Sequence, residues 1–518
     1  MANWMNLGEM VKIHAGKNPD KIALKEATRE LTFSELNERV NRIANGLAGL
    51  GMKKGDKFAV LLENSIEIVE LYLAAAKWGF IIVPINFRLA PKDIEYIVND
   101  SDATTLFVHH SFLDGALSVK DNIPNIGKRF FVVGEEKEGF SDYENFVSQG
   151  DAAEPDTDVK PEDIWVLLYT SGTTGIPKGV LRSHESYVAF YLINAVDFGF
   201  TEDDICMTIM PLCHVNSTFF SFTFTYIGAA IYIHPAMGFD AFEVLKIVEK
   251  EKITFISLIP THYNLILSVP EEEREKLNLT SLKKLLCSSA PAVKETKSSI
   301  MECFPGVELY EGYGSTEAGI VTILKPYEQM TKPGSIGRES VGTDFVKILS
   351  EDGKECNVGE IGELYSRGPM MFSGYHKLPE KTQASFRGEY FSAGDLAKKD
   401  EDVYFYLVDR KANMIITGGE HVFPSEVEVV IGQNKNVLES AVVGLPHSKW
   451  GEEVTAFVVL KEGKEAGEEE LIAFCKDRLP SFKCPKKVRF LKFEDMPHTG
   501  SGKVLHRVLR ERFSKKVN

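Results

Sequence analysis

Short β-branched apolar runs alternate with helical segments through the first part of this chain, and that alternation constrains the fold more than any other feature. Within residues 32–51, Leu36, Val40, Ile43, Leu47 and Leu50 recur at helical spacing. Thr32 and Glu35 have the form of a capping box, and Gly51 is suited to end the helix. The next segment, "KFAVLL" (57–62), reads as a strand, residues 66–78 as a second helix, and "IIVPIN" (81–86) as another strand. Strand-like runs recur at "ITFISLIP" (253–260) and "LKKLLCSSA" (282–290). Such alternation predicts an α/β sheet. After about Gly334 short strands and turns take over ("VKIL", "GELYSRG", "YFYLVDR"), which predicts a β-rich subdomain. Beyond Arg410, with strands near 441–444 and 454–460, a small α+β domain is expected. The 518 residues fit about three folding units.

One loop carries chemistry on its face. "YTSGTTGIPKGV" (169–180) follows the apolar run "IWVLL" (164–168), which reads as a buried strand. Gly172, Gly175 and Gly179 let the backbone approach a ligand closely. Ser171, Thr173 and Thr174 add hydroxyls and Lys178 a cation, a set suited to phosphate oxygens. It is not a Walker A loop, because Pro177 precedes the lysine and Gly179 follows it. "TGSGKV" (499–504) fails the same test, since Val504 stands where a hydroxyl is needed.

The formal net charge of −16 argues against a nucleic-acid surface. The seven cysteines form no CxxC pair and no zinc spacing, so reduced thiols in a cytoplasmic protein are expected. The first residues lack a basic and then apolar segment, and no signal peptide is expected. Residues 205–239 contain no Asp, Glu, Lys or Arg, enough to span a bilayer. Pro211, His214, Asn216 and many hydroxyls point instead to a strand end and a buried helix, so no integral membrane segment is expected.

Six stretches stand together: "YTSGTTGIPKG", "YEGYGSTEAG" (310–319), "GELYSRGPMMFSGY" (362–375), "YFSAGDLA" (390–397), "VDRKANMIITGGEHVFPSEVE" (408–428) and "PHTGSGKVLHR" (497–507). In this order they closely resemble the acyl/aryl-CoA synthetases of the adenylate-forming superfamily, over essentially the whole chain. The resemblance implies an α/β fold: a large N-terminal domain (1–408) of layered α/β sheets with a β-rich subdomain (about 334–408), a hinge (409–412), and a small mobile α+β C-terminal domain (413–518). It also implies ATP, Mg2+ and coenzyme A, and a two-step reaction. A carboxylate attacks the α-phosphate of ATP to give acyl-AMP and pyrophosphate, and the thiol of coenzyme A then displaces AMP.

Site residues follow from the same resemblance. Thr170, Ser171, Gly172, Thr173, Thr174, Gly175 and Lys178 would hold phosphates. Glu317 is a hard oxygen ligand for Mg2+, with Thr174 beside it, and Thr316 matches a phosphate-contacting threonine. Ser289, Ala290, Pro291, Glu311, Gly312, Tyr313 and Gly314 line the nucleotide, with Tyr313 stacking on adenine. Asp395 and Arg410 take the ribose. Lys503 matches the mobile lysine that bridges the acyl carboxylate and the α-phosphate. Arg88, Gly418, Gly419 and Trp450 fall at coenzyme A positions. Two departures stand out: Ala393 where Thr is common, and Ala412 where the hinge usually has a polar residue.

The resemblance builds the acyl pocket from the charge-free stretch. His214 matches a gating residue, and Gly312 belongs to the pocket wall. Ser217, Ser221 and Thr225 recur every four residues, which predicts one small, polar-edged helix face among Phe219, Phe220, Phe222 and Phe224. No cation waits there for a second carboxylate. A monocarboxylic acid is expected, fatty, cyclic or aromatic; a carnitine-like acid stays open because aromatic rings hold quaternary ammonium. Transfer to a carrier-protein thiol is the rival enzyme reading, and a binding protein without catalysis is the non-enzyme one. A homodimer is also left open.

Overall fold

The computed structural model describes residues 6–135, 137–170, 176–288, 292–498 and 504–514. The alternating segments fold as their local signals require. The helix Phe33–Gly49 begins at a complete capping box: the Thr32 hydroxyl accepts from the Glu35 N–H at 3.2 Å, and the Glu35 carboxylate accepts from the Thr32 N–H at 2.8 Å. Its stripe of Leu36, Val40, Ile43 and Leu47 is fully buried, each side chain contributing about 1.5–3 kcal/mol of transfer free energy. The helix Ile66–Trp78 packs beside it and ends at Gly79, whose φ of 84° terminates the helical ladder.

By chain contacts the described residues fall into two compact units. The first lies within Met1–Gly172, Ile176–Val346 and Ser366–Phe391. Among its described residues are two large mixed sheets. In one, Lys57–Leu61 is flanked in parallel by Ile81–Pro84 and Thr105–His109, and Ile164–Thr170 lies beyond Ile81–Pro84. These strands are buried on both faces, which is why they read as continuous apolar runs. Ile164–Thr170 then pairs antiparallel with Lys178–Ser183, which in turn pairs with Gly374–Tyr375. In the other sheet Ile205–Thr208, Phe255–Leu258, Lys284–Ser288 and Glu308–Ser315 run parallel, and Gly319–Leu324 returns antiparallel. The return is tight. A Cβ on Gly314 would meet the Gly319 carbonyl at 2.1 Å, so the bulge between Tyr313 and Gly314 accepts only glycine there.

The charge-free run divides into the strand Ile205–Thr208, the helix Val215–Ile227 and the strand Ala230–Ile233. The 13-residue helix is about 20 Å long, short of the ~30 Å needed to cross a bilayer. Among the described residues, no helix is long and apolar enough to cross a membrane.

The second unit lies within Lys347–Tyr365 and Ser392–Asn518. Lys347–Leu349, Gly362–Tyr365, Asp395–Lys399 and Phe405–Arg410 form an antiparallel sheet. A second sheet is built on the hairpin Val437–His447 and Gly451–Leu460. That hairpin outruns the strands expected at 441–444 and 454–460. Its ends carry Glu439, Ser440, Glu452 and Glu453, so backbone pairing continues where no apolar signal marks it. Residues 408–410 are tied to the start of the helix Pro424–Gly432: the Asp409 carboxylate accepts from the Ser425 N–H at 2.8 Å.

Candidate active site

Strand alternation places Lys178 and Arg182 on one face of Lys178–Ser183. The Lys178 ammonium donates to Glu317 Oε1 at 2.8 Å and to the Tyr375 hydroxyl at 2.7 Å, and it lies 4.1 Å from the Tyr375 ring centroid. The Tyr375 hydroxyl donates to the same Glu317 oxygen at 2.8 Å. Glu317 is 7% exposed. Burial alone would push its carboxyl up, but the Lys178 charge and the hydrogen bonds from Lys178 and Tyr375 outweigh it and hold Glu317 below the usual carboxylate range. Thr316 stands next to it, half-buried. Tyr375 was not singled out in the sequence, although it closes the stretch "GELYSRGPMMFSGY".

Thr170 faces Lys178 across the ladder, and its buried hydroxyl has no partner among the described residues. Ser171, Gly172, Thr173, Thr174, Gly175, Ser289, Ala290, Pro291 and Lys503 lie outside the described residues.

Along Glu308–Ser315 the expected nucleotide residues separate by burial. Tyr313 and Gly312 are half-buried, whereas Gly314 is exposed. Glu311 is buried, ion-paired to Lys297, and accepts from the Ala292 N–H at 3.4 Å. Its carboxylate is therefore committed to the interior, and only its backbone remains for a nucleotide. Nothing in the sequence pointed to the partner Lys297.

The helix Val215–Ile227 starts after His214, whose N–H bonds the Pro211 carbonyl at 2.9 Å. Ser217, Ser221 and Thr225 are all buried on it. Ser217 donates to the Met210 carbonyl at 2.5 Å, and the hydroxyls of Ser221 and Thr208 lie 2.5 Å apart. Thr208, Asn216, Ser217, Phe220, Ser221 and Ser257 surround a cavity of about 10 Å³, and Thr225 is not among its lining residues. The Asn216 amide donates to Ser288 Oγ at 2.8 Å and accepts from Ser257 Oγ at 3.1 Å. Ser288 is the ladder partner of Gly312, which links this polar wall to the Tyr313 segment. The place of Asn216 and Ser257 in this wall is not legible in the sequence, because single polar residues in apolar runs give no periodic signal.

Within the second unit, Arg410 Nε lies 3.0 Å from Asp395 Oδ1, and the two are directly opposed in register. Gly418 and Gly419 have φ of 60° and 87°, so a turn demands them whatever else they do. The Gly418 N–H donates to the Trp450 carbonyl at 2.8 Å, and the Trp450 ring stacks on His447 with centroids 4.3 Å apart. In the first unit, Arg88 lies over Phe87 and donates to the Ala236 carbonyl at 3.0 Å.

Comparison with known proteins agrees with these motifs. Residues 11–376 match the family model of the AMP-binding enzyme, and residues 426–503 match that of the AMP-binding enzyme C-terminal domain. The chain belongs to this family of adenylate-forming enzymes. The feruloyl-CoA synthase of Amycolatopsis sp is 34% identical over 512 residues, covering 98% of this chain and 99% of the relative. The long-chain-fatty-acid–CoA ligase FadD13 of Mycobacterium tuberculosis is 32% identical over 519 residues, 99% of each chain. ATP-bound MatB from Rhodopseudomonas palustris has the same fold, with a TM-score of 0.88 at 29% identity over 99% of this chain and 100% of that one. The protein is an AMP-forming acyl-CoA synthetase.

Proposed function

We propose that this synthetase activates a compact monocarboxylic acid, cyclic or aromatic in its acyl part. A carboxylate oxygen attacks the α-phosphorus of ATP and the bond to pyrophosphate breaks, giving acyl-AMP. The sulfur of coenzyme A then attacks the acyl carbonyl, its proton is released, and the bond to AMP breaks. The observation that carries the acid class is the cavity beside Ser217 and Ser221. It holds about one water's worth of space, and its wall mixes hydroxyls and the Asn216 amide with Met207, Ile209, Met210 and Phe220. A space this small closes a pocket instead of continuing it as a channel for a long chain. Among the described residues, no Lys, Arg or His lines it to receive a second carboxylate. The relatives include both a feruloyl-CoA synthase and a long-chain-fatty-acid–CoA ligase, so it is the cavity that carries the acid class.

In this reading Lys178 and Thr316 hold phosphate oxygens. Glu317, buried and ionised, suits Mg2+, which binds through one or two carboxylates together with substrate phosphates. Magnesium, when bound, neutralises phosphate charge; the chain's own residues orient the groups in line. Tyr313 packs against adenine, and Asp395 and Arg410, already paired, take the ribose hydroxyls. Lys503 brings a cation to the acyl carboxylate, and residues 409–412 act as the hinge that exchanges the two half-reactions. Gly418, Gly419, Trp450 and Arg88 serve coenzyme A.

The test is acid-dependent ATP–pyrophosphate exchange and CoA-dependent AMP release across benzoic, hydroxycinnamic, cyclohexanecarboxylic and straight-chain fatty acids. We expect the ring acids to give the highest kcat/KM. Highest turnover with long straight chains overturns the acid class while leaving the two-step chemistry intact.

A further inference from the structure

Arg182 is fully buried in the first unit. No carboxylate lies within ion-pair distance of it among the described residues, a strongly unfavourable setting for a charge. Burial pulls its pKa down to about 10, so it still carries a proton at neutral pH. Its guanidinium is held in two ways. Nη1 donates to the Thr316 carbonyl at 3.0 Å and reaches the Glu317 carbonyl at 3.4 Å. The rings of Tyr187 and Phe219 cover it at 5.2 and 4.9 Å. Among the described residues, Nε and Nη2 have no hydrogen-bond partner. The Glu317 carbonyl also accepts from the Phe372 N–H at 2.7 Å.

We propose that Arg182 is a positioning residue for adenylation: it fixes the Thr316–Glu317 peptide so that the Thr316 hydroxyl and the Glu317 carboxylate keep their place beside Lys178. This rests on the proposed role of Glu317 at the phosphates. Two cations on one strand face act on the same segment, Lys178 on the Glu317 side chain and Arg182 on its backbone. A leucine would fill the space between Tyr187 and Phe219 with no charge to desolvate, so packing alone gives no reason for an arginine. The planar fork supplies what packing cannot, because one guanidinium stacks on rings and donates to carbonyls at once. Phe219 belongs to the helix that lines the acid cavity, and Tyr187 bonds Thr218 of that helix at 3.0 Å. The acid-lining helix and the Thr316–Glu317 segment therefore rest on one side chain.

The experiment uses the full chain with Arg182→Met and Arg182→Lys, each checked by thermal unfolding. It measures kcat and KM for ATP in pyrophosphate exchange, the Mg2+ dependence of that exchange, and acyl-CoA formation from supplied acyl-AMP. We expect exchange kcat to fall about tenfold or more in Arg182→Met, with a higher Mg2+ requirement. Arg182→Lys should fall between Met and the parent. Thioester formation from supplied acyl-AMP should stay near the parent rate in both. Exchange at the parent rate overturns the proposal, and so does an equal loss in both half-reactions, which marks a purely structural residue. If Arg182→Met does not fold, Arg182→Lys carries the same comparison. Glu317→Gln is run in parallel: if it exchanges at the parent rate, the Glu317 reading fails, a result distinct from any behaviour of the Arg182 variants.

Discussion

Lys178 and Glu317, 139 positions apart in the chain, meet at 2.8 Å beside the strand Lys178–Ser183, and Tyr375 closes the contact with a hydrogen bond to the same carboxylate oxygen. Replacing Glu317 by Gln leaves the Lys178 ammonium against an amide. Losing one partner of a buried pair costs on the order of 3 kcal/mol. We expect a lower Tm and pyrophosphate exchange reduced by about 10²-fold or more. The stability difference should depend on pH in one direction. Glu317 has a depressed pKa, so its contribution is present above the ordinary carboxylate pKa and is lost as pH falls through the depressed value. Unfolding of parent and variant at neutral pH and in acid checks both size and sign; a gap that does not narrow in acid contradicts the assignment.

Ser221→Leu tests the acid cavity. The added methyl groups must occupy a space of about 10 Å³ and displace the hydroxyl pair with Thr208. Overpacking of this kind costs about 1–3 kcal/mol. We expect the best acid to become smaller while the KM for ATP stays within about threefold, since a leucine growing out of this wall would shorten the acid's side of the site and not the nucleotide's. An unchanged preference across the acid panel places Ser221 outside the pocket.

Gly419 needs two variants. Its φ of 87° makes any side chain strained, yet a Cβ there meets no atom within 4 Å. Gly419→Ala therefore reports strain, about 1–2 kcal/mol, and Gly419→Leu adds obstruction. Pyrophosphate exchange should survive in both. Acyl-CoA formation should persist in the alanine variant and fall by about 10²-fold in the leucine variant. Equal losses in the two variants would assign the glycine to turn geometry alone.

Lys503→Ala should lower pyrophosphate exchange by about 10²-fold or more, because a preorganised cation matters most where charge develops at phosphorus. Thioester formation from supplied acyl-AMP should hold near the parent rate. Formation of acyl-AMP by the variant at the parent rate assigns that cation to another residue.

His184 gives a stability signature in mild acid. It is fully buried, its Nδ1 accepts from the Leu7 N–H at 3.2 Å, and burial drives its pKa down to about 3. The native state keeps it neutral, whereas the unfolded chain protonates it near pH ~6.5. Stability should be full above that value and fall as pH drops toward 3, by as much as a few kcal/mol. Chemical denaturation of parent and His184→Gln between neutral pH and pH ~4 reads the difference in slope. Parallel slopes show that His184 does not titrate against folding.

Local signals made much of the fold legible. The helix Phe33–Gly49 announces itself through Thr32, Glu35 and a 3.6-residue stripe, and the helix Ile66–Trp78 lies where its residues place it. Apolar runs marked the strands because parallel strands are buried on both faces. Motif residues such as Lys178, Glu317, Asp395 and Arg410 stood out by type and order. Their pairings did not: nothing near Lys178 names Glu317, and nothing near Glu311 names Lys297. Arg182 read as one more residue of a strand until Tyr187, Phe219 and the Thr316 carbonyl closed around it. Propensity, capping and periodicity act between near neighbours, so the amino-acid sequence by itself determines where helices and strands form. The strength of an ion pair or a buried charge depends on distance and on the water removed around it. Those quantities come into being only when segments more than a hundred residues apart pack together, and so the tertiary structure alone decided them.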